Sequence, residues 1–250
     1  MSDDYSEVLS KGGYYETPKI VYRVSGEVKR LLDGTTSNFL DKGTNAFLDR
    51  FGKLIVIFEQ KVFEKEAYIV FESGFEGRFL SHINKYAKLS RCPLQKTELR
   101  AFHVIGNFET PEIKIPQRSG FLVLSKSAPK LRKMAKETYD CIRIENGISI
   151  QGQDFDDEMF LNVNWNDAVS YSKGCFVGQE VMSRVRAYGK PVKKLVAIAY
   201  DAMPPSVTSN GMEIGKITSS CVSPKFGKYL AFSIIPFAAT KIDNGEIVKI

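Results

Sequence analysis

SKGCFVGQEVMSRVRAYGKPVKKL, residues 172 to 195, is the stretch on which the reading of the fold turns. Its spacing predicts a short helix. Gly178 caps the start, Val181, Val185 and Tyr188 recur at i, i+4 and i+7, and Gly189 followed by Pro191 stops it. Cys175 falls just before the helix N-terminus, where backbone N–H groups and the helix dipole favour negative charge, and Lys173 adds a cation. Two alternatives stand for Cys175. It is a reactive thiol (nucleophile, redox group or transient iron ligand), or it is a small buried side chain in a glycine-flanked turn.

Beyond Pro191 the texture is that of short strands. KKLVAIAY (193–200), MEIGKITSS (212–220), KYLAFSII (228–235) and GEIVKI (245–250) alternate with MPPSVTSNG, VSPKFG and TKIDNG, all rich in turn residues. That spacing predicts a small β-barrel or sandwich over 191–250. The opening stretch therefore lies at a domain junction, where ligand clefts are common.

Upstream, strands and helices alternate in mixed order. KIVYRVSG (19–26) reads as a strand entering a helical turn with Val28, Leu31 and Leu32 apolar. FLDRFGKLIVIF reads as a strand pair turned at 50–53, and EAYIVFES continues the sheet. GRFLSHINKYAKL places Phe79, Leu80, Ile83, Tyr86 and Ala87 on one helical stripe, with His82 beside it as a packed or surface residue. ELRAFHVIGN and GFLVLSK read as strands. SAPKLRKMAKETYD (127–140) reads as a helix with Ser127 as N-cap, and CIRIENG (141–147) as a returning strand, with Arg143 and Glu145 pairing across the sheet. Two α+β halves of ferredoxin-like character, divided near residue 95, are expected over 1–190.

Composition sets outer bounds. The chain has 250 residues, of which 43% are hydrophobic and 26% charged, as in globular proteins. A formal charge of +6, from 35 basic and 29 acidic residues, points either to an anionic partner or to a solvated basic surface. Folate polyglutamate, RNA or an acidic protein would each qualify as the partner. The basic run Arg184, Arg186, Lys190, Lys193 and Lys194 is where such a partner would be met. The first fifteen residues lack a signal-peptide pattern and LIVIF (54–58) is too short to span a bilayer, so a cytoplasmic protein without a membrane partner is expected. Cys92, Cys141, Cys175 and Cys221 form no CxxC pair, and His82 and His103 are the only histidines, which argues against a metal site.

KGCFVGQE at 173–180 matches the KGC[YF]xGQE signature of the YgfZ-type folate-binding proteins, relatives of the glycine-cleavage T-protein, an aminomethyltransferase. The resemblance extends over nearly the whole chain. VSGEVKRLLDGTTSN (24–38) is similar to that family's N-terminal segment ending in a TN pair, FLDRFGK (47–53) to its FLdxxGr turn, RIENGISIQGQD (143–154) to RIexGxPxxGxD, and MEIGKITSS (212–220) to xxvGxvtSs. It implies two ferredoxin-like half-domains and a C-terminal β-barrel in a three-lobed ring that admits tetrahydrofolate. The implied role is support of iron–sulfur protein assembly or repair, with a connection to tRNA thiomethylation through an iron–sulfur enzyme, and with iron–sulfur client or assembly proteins as partners. Lys173, Gly174, Gly178, Gln179, Glu180, Arg184, Trp165 and Tyr188 are the candidate folate contacts, and Cys175 with Lys173 the candidate reactive pair. A folate-dependent aminomethyl or one-carbon transferase and an RNA-binding module are the alternatives. The chain departs from the family at one place: Phe160 stands where the family's PxE glutamate meets the pterin, leaving Glu158 or Asp157 as nearby carboxylates.

Overall fold

The computed structural model describes residues 2–250. The chain opens with α1 (Ser2–Lys11), β1 (Gly13–Glu16), β2 (Lys19–Ser25), α2 (Val28–Asp33), β3 (Thr44–Leu48), β4 (Leu54–Val62) and β5 (Glu66–Glu72). It continues with α3 (Glu76–Leu89), β6 (Leu94–Lys96), β7 (Arg100–Ile105), β8 (Ile113–Pro116), β9 (Phe121–Ser125), α4 (Lys136–Glu145) and α5 (Gln179–Tyr188). Six strands end it: β10 (Lys193–Tyr200), β11 (Val207–Ser209), β12 (Met212–Gly215), β13 (Ile217–Ser223), β14 (Lys228–Pro236) and β15 (Gly245–Val248). This is a mixed α+β architecture of antiparallel sheets.

A five-stranded sheet runs β3-β4-β5-β2-β6, and a four-stranded one β1-β7-β9-β8. Their facing sides pack Val21 and Val70 against Ala101, Leu122 and Leu124, as the period-2 alternation of strands allows. α2 and α3 cover the other side of the larger sheet with Leu31, Leu32, Phe79 and Ile83. The last sheet, β13-β14-β10-β15, lays Leu195, Ala197, Ala199, Leu230 and Phe232 on Leu48, Leu54, Ile144, Phe160 and Trp165, so it shares a core with the rest of the chain.

Two expected elements are corrected. The helix expected from Ser127 begins only at Lys136, because residues 132–134 are drawn out along β1: Tyr14 N–H donates to Arg132 O and Met134 N–H to Tyr14 O, each at 2.9 Å. Its cap comes from another helix. Asp4 of α1 accepts from Ala135 N–H (3.2 Å) and Thr138 Oγ1 (2.7 Å), whereas Ser127 caps nothing. The strand expected at 141–147 is instead the second half of α4, which is buried on all sides, so hydrophobic periodicity does not mark its face.

Arg143 and Glu145 therefore do not pair across a sheet. From α4, the wholly buried Arg143 guanidinium donates to Asp140 (2.7 Å), Asp154 (2.9 Å) and Ser219 Oγ (2.6 Å). Asp154 in turn accepts from Ile150 N–H (2.8 Å) and Thr218 Oγ1 (3.0 Å). Glu145 accepts from Tyr5 Oη at 2.6 Å and from Ser223 Oγ. The residues of RIENGISIQGQD and MEIGKITSS are thus joined into one dry polar knot between α4 and β13. Arg143→Ala should cost about 3–5 kcal/mol in urea unfolding, since it strands the buried Asp154 carboxylate. The double substitution R143M/D154L should recover most of that loss.

Candidate functional site

α2 ends at Gly34, and the TTSN segment after it folds back on its own last turn. Thr35 and Thr36 hydroxyls donate to Leu31 O and Leu32 O, both at 2.8 Å, closing the last turn of the helix. Ser37 Oγ donates to Ala168 O (2.6 Å), Asn38 Nδ2 to Asp167 O (2.8 Å), and Ser170 N–H to Ser37 O (2.9 Å). Lys173 completes the seam. Its ammonium lies buried and donates to Asp33 O (2.7 Å) and Thr36 O (2.8 Å), with the Asp33 carboxylate 3.7 Å away. Burial lowers its pKa and Asp33 works in the opposite direction. The Lys173 charge is thus held by the α2 terminus.

Five residues on, Gly178 caps α5 at φ 86°, and a Cβ there would fall 2.5 Å from Asp49 O. Gly52, at φ 76°, faces it and packs on Met182. Asp49 shapes that turn by accepting from Phe51 and Lys53 N–H (2.8 and 2.9 Å). The turn's other side carries the segment with Phe160: Phe160 N–H donates to Gly52 O and Leu54 N–H to Glu158 O, both at 3.0 Å. Phe160 is fully buried in the core; Glu158 binds Lys193 (2.9 Å) and Asn162 (2.8 Å), and Asp157 binds Lys53 (2.7 Å).

The other candidates spread outward. Gly174 has open space around it and Cys175 is exposed, while Cys92 and Cys141 are buried. Gln179 is half-buried, Glu180 pairs with Arg184 at 2.8 Å on the surface, and Tyr188 is 91% exposed. Trp165 goes inward. Its ring lies under the Arg118 guanidinium (4.3 Å), which is held by Asp167, and it walls a cavity of about 20 Å³ between the two larger sheets. Of the candidates, Trp165 alone is among the described residues of that wall.

Sequence reasoning missed the remainder of this cavity. Lys19 bridges Glu59 (2.6 Å) and Glu72 (3.3 Å), and burial pushes the Glu72 carboxyl up. His103 Nε2–H donates to Ser119 O at 2.6 Å, and burial, with Lys19 nearby, lowers its pKa to about 4 despite that bond. Three buried polar groups of the wall have no hydrogen-bond partner within the protein: Trp165 Nε1, Gln117 Nε2 and Ser149 Oγ. Each such orphan costs about 1–3 kcal/mol, and together they form a surface able to bind acceptor atoms. The available signal was a carboxylate closing an apolar strand run, LIVIFE and IVFE, since such residues are rarely buried without a task.

No protein-family model matches the chain. Its fold is that of the glycine cleavage system aminomethyltransferase T from Bartonella henselae: the crystal structure aligns with a TM-score of 0.79 at 15% identity, over 96% of this chain and 82% of that one. In sequence it is related to aminomethyltransferases. It is 29% identical to that of Herpetosiphon aurantiacus over 112 residues (41% of this chain, 30% of the relative) and 30% identical to that of Xanthomonas axonopodis pv. citri over 106 residues (39% and 28%). A probable mitochondrial aminomethyltransferase of Schizosaccharomyces pombe is 25% identical over 149 residues. The matched stretches thus span about a third of the curated relatives' length.

Gly178→Ala should lower stability by about 2–3 kcal/mol, because it adds a positive-φ penalty to a collision with Asp49 O, whereas Gly174→Ala should change it by less than about 0.5 kcal/mol; chemical denaturation separates the two. Stability should also fall as pH drops from 6.5 towards 4. His103 and His82, both lowered to about 4 by burial, stay neutral in the fold while the unfolded chain protonates at about 6.5. The His103→Gln variant should show a shallower decline of Tm across that window.

Proposed function

We propose that the protein binds a reduced folate and serves as an accessory factor in iron–sulfur protein assembly or repair, with a tRNA-modifying iron–sulfur enzyme among its clients. In this proposal the first 190 residues form two ferredoxin-like halves, residues 191–250 form a barrel, and the protein works in the cytoplasm. One observation carries the folate part: three unpaired buried groups, Trp165 Nε1, Gln117 Nε2 and Ser149 Oγ, line a cavity inside an aminomethyltransferase-like fold. The groups fit a pterin in kind. Those three supply donors for ring oxygen and nitrogen atoms, and Glu59 and Glu72 supply acceptors for ring N–H groups. In size the cavity holds about one water, so a pterin enters only when its walls part.

Tetrahydrofolate, when bound, would carry a one-carbon unit on its pterin N5, on the neighbouring anilino N10, or bridged between them. The chain's own residues bind and shield it: Trp165 gives a flat apolar wall, and the Lys19 ammonium holds the Glu59 and Glu72 side chains in place beside it. Phe160 is committed to the core, so the carboxylates of β4 and β5 are the ones left facing the cavity. Exposed Cys175, with no side chain at Gly174 to screen it, offers a soft ligand or nucleophile to a docked client. The partial sequence kinship with aminomethyltransferases supports a second possibility, one-carbon transfer catalysed by the protein itself; folate-dependent turnover of an aminomethyl or methyl donor would establish it.

Trp165 is the single tryptophan, so its emission reports directly on the cavity. Titration with tetrahydrofolate, as mono- and polyglutamate, should change that emission saturably, release heat, and raise Tm by mass action. The double variant Q117L/S149A should bind about tenfold more weakly. A flat calorimetric trace and unchanged emission with every reduced folate would refute the proposal.

A further inference from the structure

Beside the Arg143 knot, α4 and β13 also bring two cysteines together. Alternate residues of β13 face α4: Ser219 Oγ accepts from Arg143 at 2.6 Å, and Ser223 Oγ donates to Glu145. Cys221 stands between those two serines on the same side of the strand. From α4, Cys141 lies one turn before Glu145 on one helix face, with its Sγ 3.5 Å from Glu145 Oε1 and 3.6 Å from Val222 O on β13. The two thiols hydrogen-bond each other across the seam.

Access to the two sulfurs is unequal. Cys141 is wholly buried and packs with Tyr5 and Val8 of α1, whereas Cys221 is half-buried between the exposed residues Ser220 and Val222. The hydrogen bond with Cys221, burial and the Glu145 carboxylate together push the Cys141 thiol up, so it keeps its proton and is inert towards solvent by itself. A dissolved oxidant therefore meets Cys221 first. Cys141 stands where a resolving thiol has to stand, against the sulfur that becomes oxidised.

We propose that Cys141 and Cys221 form a reversible disulfide in response to a peroxide, fastening α4 to the last sheet. The Cys221 thiolate attacks one peroxide oxygen, the O–O bond breaks, and the departing hydroxide takes up the proton Cys221 released, giving water and a sulfenic acid. The Cys141 sulfur then attacks the Cys221 sulfur. As the S–S bond forms the S–O bond breaks, and hydroxide leaves with the Cys141 proton as a second water. Two thiols are oxidised and one peroxide is reduced; a dithiol reductant reverses the change by exchange, becoming a disulfide itself. The bond closes the chain from 141 to 221 and adds a covalent tie to a seam that the Arg143–Asp154 pair already holds. Neither cysteine lines the Trp165 cavity, so the proposal stands or falls apart from folate binding.

The test treats the intact, folded protein with a small excess of hydrogen peroxide, blocks the remaining thiols with N-ethylmaleimide and maps its peptides without reduction. A peptide linked through Cys141 and Cys221 is expected, and dithiothreitol should abolish it. The oxidised protein should melt about 5 °C or more above the reduced one. Backbone amides of α4 and β13 should exchange with solvent more slowly in the oxidised form. Cys141→Ser should leave Cys221 as a sulfenic acid that dimedone traps, and Cys221→Ser should leave Cys141 unmodified. A linked peptide that forms only in urea, linkage through Cys175 instead, or oxidation of Cys221 to sulfinic acid without linkage would overturn the proposal. Equal Tm and equal exchange in the two forms would overturn it as well, since the bond would then fasten nothing.

Discussion

The approach of Gly178 to the backbone of the 49–53 turn is the contact on which the rest of the structure depends. Two glycines in left-handed conformation meet there, and a Cβ on Gly178 would fall 2.5 Å from a carbonyl oxygen. On one side the turn holds the Phe160 segment by paired backbone hydrogen bonds; on the other it seats Met182 of α5. Because the contact is backbone to backbone, it has no rotamer through which to relax. It fixes where α5 starts, and hence where Cys175 emerges. Lys173 acts on the same loop from the other end, using the carbonyls of Asp33, the last residue of α2, and of Thr36 just beyond it.

A second polar knot, Arg143 with Asp154 and Ser219, ties α4 to the last sheet. Of the two knots, the Arg143–Asp154 pair is wholly buried, and a buried ion pair of this kind contributes more to a unique arrangement than to net stability. Between them they hold the segment from Ile148 to Trp165, which supplies much of the cavity wall. That wall can keep unpaired polar atoms only because its frame is held elsewhere. Sites poised for a ligand commonly carry such local cost, offset by the stability of the surrounding fold.

Much of this was legible in advance. β2 to β5, β7, β9, α3 and the start of α5 follow from periodicity and glycine placement, whereas the short strands β1, β6 and β8 carry too little pattern to be read. α4 was misread because burial on every side removes the polar face that periodicity needs; C-I-R-I-E alternates like a strand yet turns as a helix. Its start was misread because the capping carboxylate, Asp4, lies far away in sequence. The Trp165 cavity was equally out of reach: Lys19, Glu59, Gln117 and Ser149 come from four separate segments.

The sequence by itself determined the α+β class, the start of α5 at its capping glycine, and the resemblance carried by 173–180. These are local properties, set by φ preferences, side-chain chemistry and repeat period. Only the tertiary structure decided what those residues do. It turned Lys173 inward as a clamp and left Cys175 and Tyr188 outside, and it placed Phe160 in the core while gathering unpaired donors around Trp165. The physical reason is that burial and hydrogen-bond partnership are properties of which segments meet, and the segments that meet here lie far apart in the chain: Lys173 and Asp33 are 140 residues apart.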